Sequence, residues 1–410
     1  MNTKFLCAAA LAAALLPRLS DAVPLSFETA LDMAVQRSEA ARAGRAGLQS
    51  ATEASRAAGQ LPDPTLNVGI DNLPVTGPDR LSTTSEPMTM KRIGVSQEWI
   101  SGEKRAARRN AAQALVSRQG VAVAAAVADT RLQTALAYLD AFYAGEAIKL
   151  TTRTEHHANE ELEAARARLS SANASGQEVL ALVGARAAAE DESAEGRQQQ
   201  SAAAVQLERW VGSRADELSP PNDLPLPAEQ DYVGAHPAVL ALRRDADVAR
   251  QEAAVTAMNR KPNWTWGVSY GQRTGYSDMV TLGVSIPIPL VPSERQDRDT
   301  AARLALVDKV EADLAEATRA ATAEYRGLAS DARRLQERID RYLAGVAKPA
   351  TQRTSVAMAA YASNQTSLTT LFEARHAEVD VQRKLLALQR DLAKARAQLA
   401  YKPLAPGASQ

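Results

Sequence analysis

PTLNVGIDN (Pro64–Asn72) and TMKRIGVSQEWI (Thr89–Ile100) return far downstream as PNWTWGVSYGQ (Pro262–Gln272) and MVTLGVSIPI (Met279–Ile288). Pro64 falls on Pro262 and Gly69 on Gly267 at an offset of 198, and Gly94-Val95-Ser96 falls on Gly283-Val284-Ser285 at 189. The offset of 189 recurs where Ala185-Arg186 meets Ala374-Arg375. The chain therefore reads as an internal duplication, each copy running helix, two strands, helix, helix. The first copy carries about nine extra residues between its strands. A repeat this long is a duplicated domain and not a short-period solenoid.

Within the four stretches apolar residues alternate strictly, the period of a strand. One face carries Leu66, Val68 and Ile70, then Ile93, Val95, Gln97 and Trp99; in the second copy it carries Trp264, Trp266, Val268 and Tyr270, then Leu282, Val284, Ile286 and Ile288. The other face is small or polar, with Asn67, Gly94, Ser96, Gly267, Ser269 and Gly283 among it. Strands of about 9–11 residues suit a tilted crossing of a bilayer. Apolar-out, polar-in alternation with aromatics near strand ends suits a transmembrane barrel. A half-buried sheet of a soluble protein alternates too. If the strands do cross a membrane, four are too few to close a barrel and open edges are not tolerated in lipid, so several chains must pool them.

Long helices are the second expectation. One helix is expected over about 25–58, opened by Ser26 as N-cap and Glu28 in its first turn. After Pro87 no proline occurs until Pro220. Within that span residues 102–169 read as one helix of roughly 100 Å. Ser170–Gly176 is a turn, and a return helix follows to about Trp210. Pro220, Pro221, Pro225 and Pro227 mark a linker between the copies. The second copy repeats the plan with a helix over about 237–258, the strand pair, a long helix from Ser293 to about Tyr361 with a kink at Pro349, the turn Ala362–Gln365, and a last helix over 366–399. The domains expected are thus 1–22 as a signal peptide, 23–212 and 236–402 as the two repeats, 213–235 as linker, and 403–410 as a disordered tail. In the first repeat the hairpins are 64–100 and 102–211, and in the second 262–288 and 293–399.

Composition agrees with packed helices. Aromatic residues make up 4% of the chain, and Ala, Glu, Arg, Gln and Leu dominate the long runs. The formal net charge is zero, which leaves no electrostatic footprint for nucleic acid. No run reaches the roughly 18 apolar residues of a membrane-spanning helix. At the N-terminus Lys4, the apolar run Phe5–Leu16 and Ser20-Asp21-Ala22 form a secretory signal with cleavage after Ala22. Cys7, the only cysteine, lies inside that signal. It is too early for lipid attachment, so the mature chain is expected to begin at Val23 without disulfide or thiolate metal site.

The opening Leu25–Ala34 (LSFETALDMA), Gly59–Asn72 (GQLPDPTLNVGIDN) and Thr281–Leu290 (TLGVSIPIPL), with Leu180, Leu182 and Arg186 or Leu368, Leu371 and Arg375 after the turns, resemble the TolC-type outer-membrane efflux channels. The resemblance covers about Leu25–Tyr401. It implies a mainly α fold with a small membrane β part, and a homotrimer whose twelve strands form one outer-membrane barrel continued by a periplasmic α-helical barrel. It further implies docking onto a periplasmic adaptor (membrane fusion protein) and an inner-membrane pump of the resistance–nodulation–division type, in a Gram-negative bacterium. No catalysis and no cofactor are implied. The junctions Leu61–Pro64 and Ile286–Pro292 and the stretch Arg92–Lys104 resemble the branch that serves heavy-metal pumps. Drug or protein export is the rival within the family, and a periplasmic coiled-coil adaptor or scaffold the rival outside it.

The resemblance also places residues. The family gates its tunnel with acidic rings near the start of the last helix; in Leu368–Ala374 (LTTLFEA) the matching positions are Thr370 and Glu373, only one of them acidic. Both turns become the adaptor-contacting tip, with Ser171, Asn173, Ser175, Gly176, Ser363, Asn364 and Gln365. Leu66, Val68, Ile70, Ile93, Val95, Trp99, Trp264, Trp266, Val268, Leu282, Val284 and Ile286 become the lipid-facing set. No metal site is expected. Adjacent His156 and His157 point to different sides of a helix, and Met88 and Met90 read as loop or packing residues rather than a soft-cation site. No nucleophile–base set or phosphate loop is present, so an enzyme is not expected.

Overall fold

A computed structural model describes residues 24–171 and 175–405. The signal peptide, Val23, Asn173 and the last five residues lie outside them. The elements are α1 (Phe27–Arg37), α2 (Glu39–Ala57), β1 (Thr65–Asp71), β2 (Met90–Trp99), α3 (Gly102–Ser170), α4 (Gly176–Val211), α5 (Glu229–Gly234), α6 (Pro237–Ala257), β3 (Trp264–Gln272), β4 (Met279–Ser285), α7 (Gln296–Tyr342), α8 (Lys348–Ala362) and α9 (Leu368–Tyr401).

Two compact units result, and each draws segments from both sequence copies. The first comprises the described residues of Met1–Ser38, Thr130–Pro225 and Ala329–Gln398. Its helices meet through small and aliphatic residues: Ala332, Ile339, Leu388, Leu392 and Ala395 in one cluster, and Leu162, Ala165, Leu182, Leu368 and Leu371 in another. The segment after α4 is strapped to the chain start by a parallel bridge between Leu25 and Leu218. The Tyr138 hydroxyl sits there between the carbonyls of Leu25 at 2.7 Å and Ser219 at 2.8 Å, and burial pushes its pKa up to about 12. Gly212 ends α4 at φ 88°, a left-handed backbone that favours glycine.

The second unit comprises Glu39–Asp129, Leu226–Leu328 and the described residues of Leu399–Gln410. It holds a four-stranded antiparallel sheet in the order β1-β2-β3-β4. Below the strands Val121, Ala128, Leu240 and Leu404 share a core.

Several expected boundaries shift, each for a local reason. The helix expected over 25–58 is two. Ser38 adopts an extended ψ of 108° and its hydroxyl pairs with Thr130 Oγ1 at 2.9 Å, which separates α1 from α2. Ser26 does cap α1, accepting from the Thr29 amide at 3.2 Å. A short helix, α5, forms inside the linker stretch. Pro349 is not a simple kink: a π-helical turn, Leu343–Ala347, precedes it. Proline has no N–H for the carbonyl four residues back, and the chain absorbs the lost bond by widening one turn. β4 stops at Ser285 because Pro287 and Pro289 cannot donate to a ladder. Ile286 and Ile288 therefore lie beyond the strand. A stretch of α3 is apolar enough by length and composition to cross a membrane, although it holds no unbroken apolar run of 18 residues. Alanine produces this, since it scores as apolar while adding little surface.

Candidate membrane sheet and helical tip

Register decides what the sheet's faces are. Leu66 pairs with Val95, Val95 with Val268, and Val268 with Leu282; Val68 pairs with Ile93, and Ile93 with Tyr270; Trp266 pairs with Val284. The apolar residues of the four strands are thereby stacked in rows on one face. Leu66, Val68, Leu282 and Val284 are 64–76% exposed, far more than a core would leave open. Ile286, just past β4, is exposed as well. Trp99 and Trp264 close the row at one end, their rings 5.9 Å apart. Opposite lies a polar face, where Asn67 donates to Ser96 Oγ at 3.0 Å. There Gly94 is pressed against β3, and a Cβ would fall 2.6 Å from that of Ser269. Among the described residues β1 and β4 have one ladder edge unpaired each. Met90 belongs to β2, with its sulfur over the bare backbone of Gly271; Met88 is exposed.

In the other unit the two turns close by capping. Ser175 precedes α4 and accepts from the Glu178 amide at 3.1 Å; Ser367 precedes α9 and accepts from the Thr370 amide at 3.2 Å. Ser171 ends α3 with its hydroxyl on the Arg168 carbonyl at 3.0 Å. Asn364 takes φ 60°, which lets the Gln365 amide reach the Ala360 carbonyl at 2.8 Å. Thr370 and Glu373, one turn apart, share an exposed face of α9. The Thr370 hydroxyl is 3.0 Å from Ser367 Oγ, so it belongs to the cap. Glu373 has no ion-pair partner among the described residues.

Sequence reasoning missed the charged pair beside them. Arg375 donates to Glu161 on α3 at 2.7 Å, and Glu161 is 4% exposed with one oxygen unpartnered. Burial raises the Glu161 pKa, with the Arg375 cation opposing that rise. Arg375 was visible as a repeated residue; nothing in the helical run around Glu161 distinguishes it from its exposed neighbours. A second omission is KRAARR at the start of α3, where Lys104 is buried and reaches Asn263 Oδ1 at 3.2 Å.

His156 and His157 do not point apart as adjacency on a helix suggested; their rings lie 5.9 Å from each other. His156 and His157 both lean on Glu160, at 3.2 and 3.3 Å; His376 stacks on Phe372 and faces Glu192 at 3.7 Å. Among the described residues no group of three or more His, Cys, Asp or Glu side chains is disposed to hold a metal ion.

No protein-family model matches the sequence, and no curated protein sequence does. Solved structures do match. The outer membrane protein VceC from Vibrio cholerae superposes with a TM-score of 0.74 at 17% identity, covering 92% of this chain and 96% of that one. The Campylobacter jejuni CmeC outer membrane channel gives 0.76 at 11% identity, with 92% and 85% covered. The open state of the Neisseria gonorrhoeae MtrE outer membrane channel gives 0.70 at 16% identity, with 92% and 88% covered. The chain has the fold of these outer-membrane channels along nearly its whole length. The matched proteins are outer-membrane channels, which are not enzymes.

Proposed function

We propose that the chain is the outer-membrane exit duct of a tripartite efflux system. The observation that carries this reading is the sheet: an apolar face left exposed on all four strands, a polar face behind it, and two open edges. Burying that face in lipid removes its cost in water, and pairing β4 of one chain with β1 of the next removes the edges that lipid forbids. The trimer, its twelve-strand barrel and the helical barrel below follow from pooling three such sheets. Leu66, Val68, Ile70, Ile93, Val95, Trp99, Trp264, Trp266, Val268, Leu282, Val284 and Ile286 then face lipid. The duct is passive; an inner-membrane pump joined through a periplasmic adaptor supplies the energy. Ser171–Gly176 and Ser363–Gln365 are the surfaces offered to the adaptor, and Glu373 contributes an acidic ring to the closed gate. Heavy-metal cations are the cargo suggested by the wording of Leu61–Pro64, Ile286–Pro292 and Arg92–Lys104. Drug or protein export is the alternative, and the pump would decide between them.

The test is light scattering of the detergent-extracted protein together with conductance in planar bilayers. A trimer with a stable, ion-conducting state is expected. A detergent-independent monomer without conductance would remove the reading and favour a periplasmic scaffold. Cysteines at Ser175 or Ser363 should crosslink to the adaptor in cells, and one at Asp79 should not. Metal export would be overturned by unchanged metal sensitivity in a strain lacking this gene.

A further inference from the structure

We propose that the opening turns of α3 form an arginine collar in the duct that binds multivalent oxyanions; the inference rests on the exit-duct reading. Lys104, Arg105, Arg108 and Arg109 fall within the first two turns of α3. Lys104 and Arg108, and Arg105 and Arg109, are spaced i, i+4, so like charges stand side by side. The N-terminal end of a helix is itself positive and favours acids. Helix physics alone therefore opposes this arrangement, and an anion would relieve it.

Neighbouring cations are satisfied. Arg92 meets Asp71 at 3.2 Å, Arg260 meets Asp297 at 3.3 Å, and Lys261 pairs with Glu103. Lys104 donates to Asn263, which donates to Glu98 at 2.7 Å. Arg105, Arg108 and Arg109 have no carboxylate partner among the described residues, and Arg105 Nε is buried without an acceptor. Burial, then the Arg108 cation, hold the Lys104 pKa below its ordinary value, with Glu98 opposing.

Placement selects the duct over a neighbouring chain. On one side the Arg109 stem lies over Gly59, just past α2; on the other Lys261 and Asn263 approach Glu103 and Lys104. The start of α3 is thus flanked by its own chain on both sides. Glu98 belongs to the polar face of β2, since Ser96 and Gly94 do. The Glu98–Asn263–Lys104 chain of hydrogen bonds carries that face onto α3, where Arg108 is one turn from Lys104. The second copy lacks the feature: α7 opens with Asp297 and Asp299. Guanidinium forks match the oxygens of phosphates and carboxylates, and three chains would present their arginines around one opening.

The test uses the full-length protein in neutral phosphatidylcholine planar bilayers, with inorganic tripolyphosphate added on the barrel side. The parent should conduct, and tripolyphosphate should reduce the current at about 0.1 M salt, with the effect weakened at about 1 M, where screening is short-ranged. R105Q/R108Q/R109Q should need at least tenfold more tripolyphosphate, R108Q alone an intermediate amount, and R118Q, whose partner is Asp245, the parental amount. Isothermal titration of the detergent-solubilised proteins with tripolyphosphate should follow the same order. A conducting parent insensitive to tripolyphosphate, or a triple variant equally sensitive, overturns the collar while leaving the duct. Loss of co-purifying anionic lipid from the triple variant without a change in block would assign the arginines to the membrane surface and overturn it too. A parent that neither assembles nor conducts overturns the duct reading and the collar together.

Discussion

Gly94 and Gly283 occupy equivalent positions in the two sequence copies, yet only one of them is confined. Gly94 sits on β2, whose second edge is covered by β3, and a Cβ there meets the Ser269 side chain and the Val268 carbonyl at 2.6 and 2.8 Å. Gly283 on β4 has nothing within 4 Å. The same inversion holds for Gly267, with neighbours at 3.5 Å, and Gly69, which has none. Arg375 and Arg186 differ likewise: the first pairs with buried Glu161, the second with Glu190 one turn along its own exposed helix face. Duplication copies residues, but joining the copies in one chain gives each residue a different neighbour. The inner pair of strands became the seam, and the outer pair the edges.

Gly94→Val should have the largest effect. The contact is with backbone, which cannot swing aside, and overpacking of this kind costs about 1–3 kcal/mol or more. Thermal melts in detergent should show a destabilised chain, whereas Gly283→Val should melt like the parent when monomeric. If edges are shared between chains, Gly283→Val should instead lower the yield of trimer, and an unaffected trimer would argue against β4 meeting a neighbour's β1.

Next comes the arginine pair. Arg375→Ala leaves Glu161 buried without its cation, a loss eased because the acid can take up a proton, and should cost about 1–3 kcal/mol; Arg186→Ala should cost about 0–1 kcal/mol. The Glu161 pKa is raised in the fold, so its contribution is complete below the ordinary carboxylate range and is lost as pH rises through the folded value. Arg375→Ala should therefore recover stability on acidification, and Glu161→Gln should flatten that dependence. Equal melting shifts for the two arginine variants would erase the distinction between the copies here.

The opening helices give a smaller contrast. α1 starts with a Ser26 cap, worth about 0.5–2 kcal/mol on replacement by alanine, and Ser26→Ala should lower stability equally at all pH values. α6 starts at His236, which makes no side-chain cap bond and is 8% exposed beside Tyr232, Glu324 and Lys402. Burial first, with the Lys402 cation adding, lowers its pKa against the pull of Glu324. Its neutral form thus stabilises the fold above the ordinary histidine pKa, and that contribution is lost as pH falls. His236→Asn should remove this acid-side loss, seen as slower amide exchange at Leu404, whose N–H reaches the Ala235 carbonyl at 2.8 Å.

The smallest effect is expected at Pro349. α3 runs unbroken for 69 residues, whereas α7 and α8 are divided by the π-helical turn at Leu343–Ala347. Pro349→Ala restores an amide donor but loosens the unfolded chain, and proline's effect on that state is about 0.4–1 kcal/mol. Net stability should scarcely move. Amide exchange across Leu343–Ala347 should slow as the turn tightens to α geometry, and unchanged exchange would show that proline is not what widens it.

The sequence alone determined much of the chain's plan, because periodicity and proline are local properties. Alternation marked the four strands, the proline-free span marked α3, and Ser26 announced its own cap. The apolar rows of Leu66, Val95, Val268 and Leu282 were readable one strand at a time, since side chains on a strand alternate whatever it pairs with. Tertiary structure decided the rest. Ser38 breaks a helical pattern because a partner hydroxyl, Thr130, lies 92 residues away. Glu161 becomes a buried acid only when α9 brings Arg375 to it. Lys104 is drawn out of the KRAARR run by Asn263, and the arginines beside it stay without carboxylates because of what lies nearby in space. Gly94 and Gly283 are indistinguishable in the aligned copies; pairing made one a seam and left the other at an edge, since a residue's neighbours across a sheet are set by register and strand order, which no local pattern encodes.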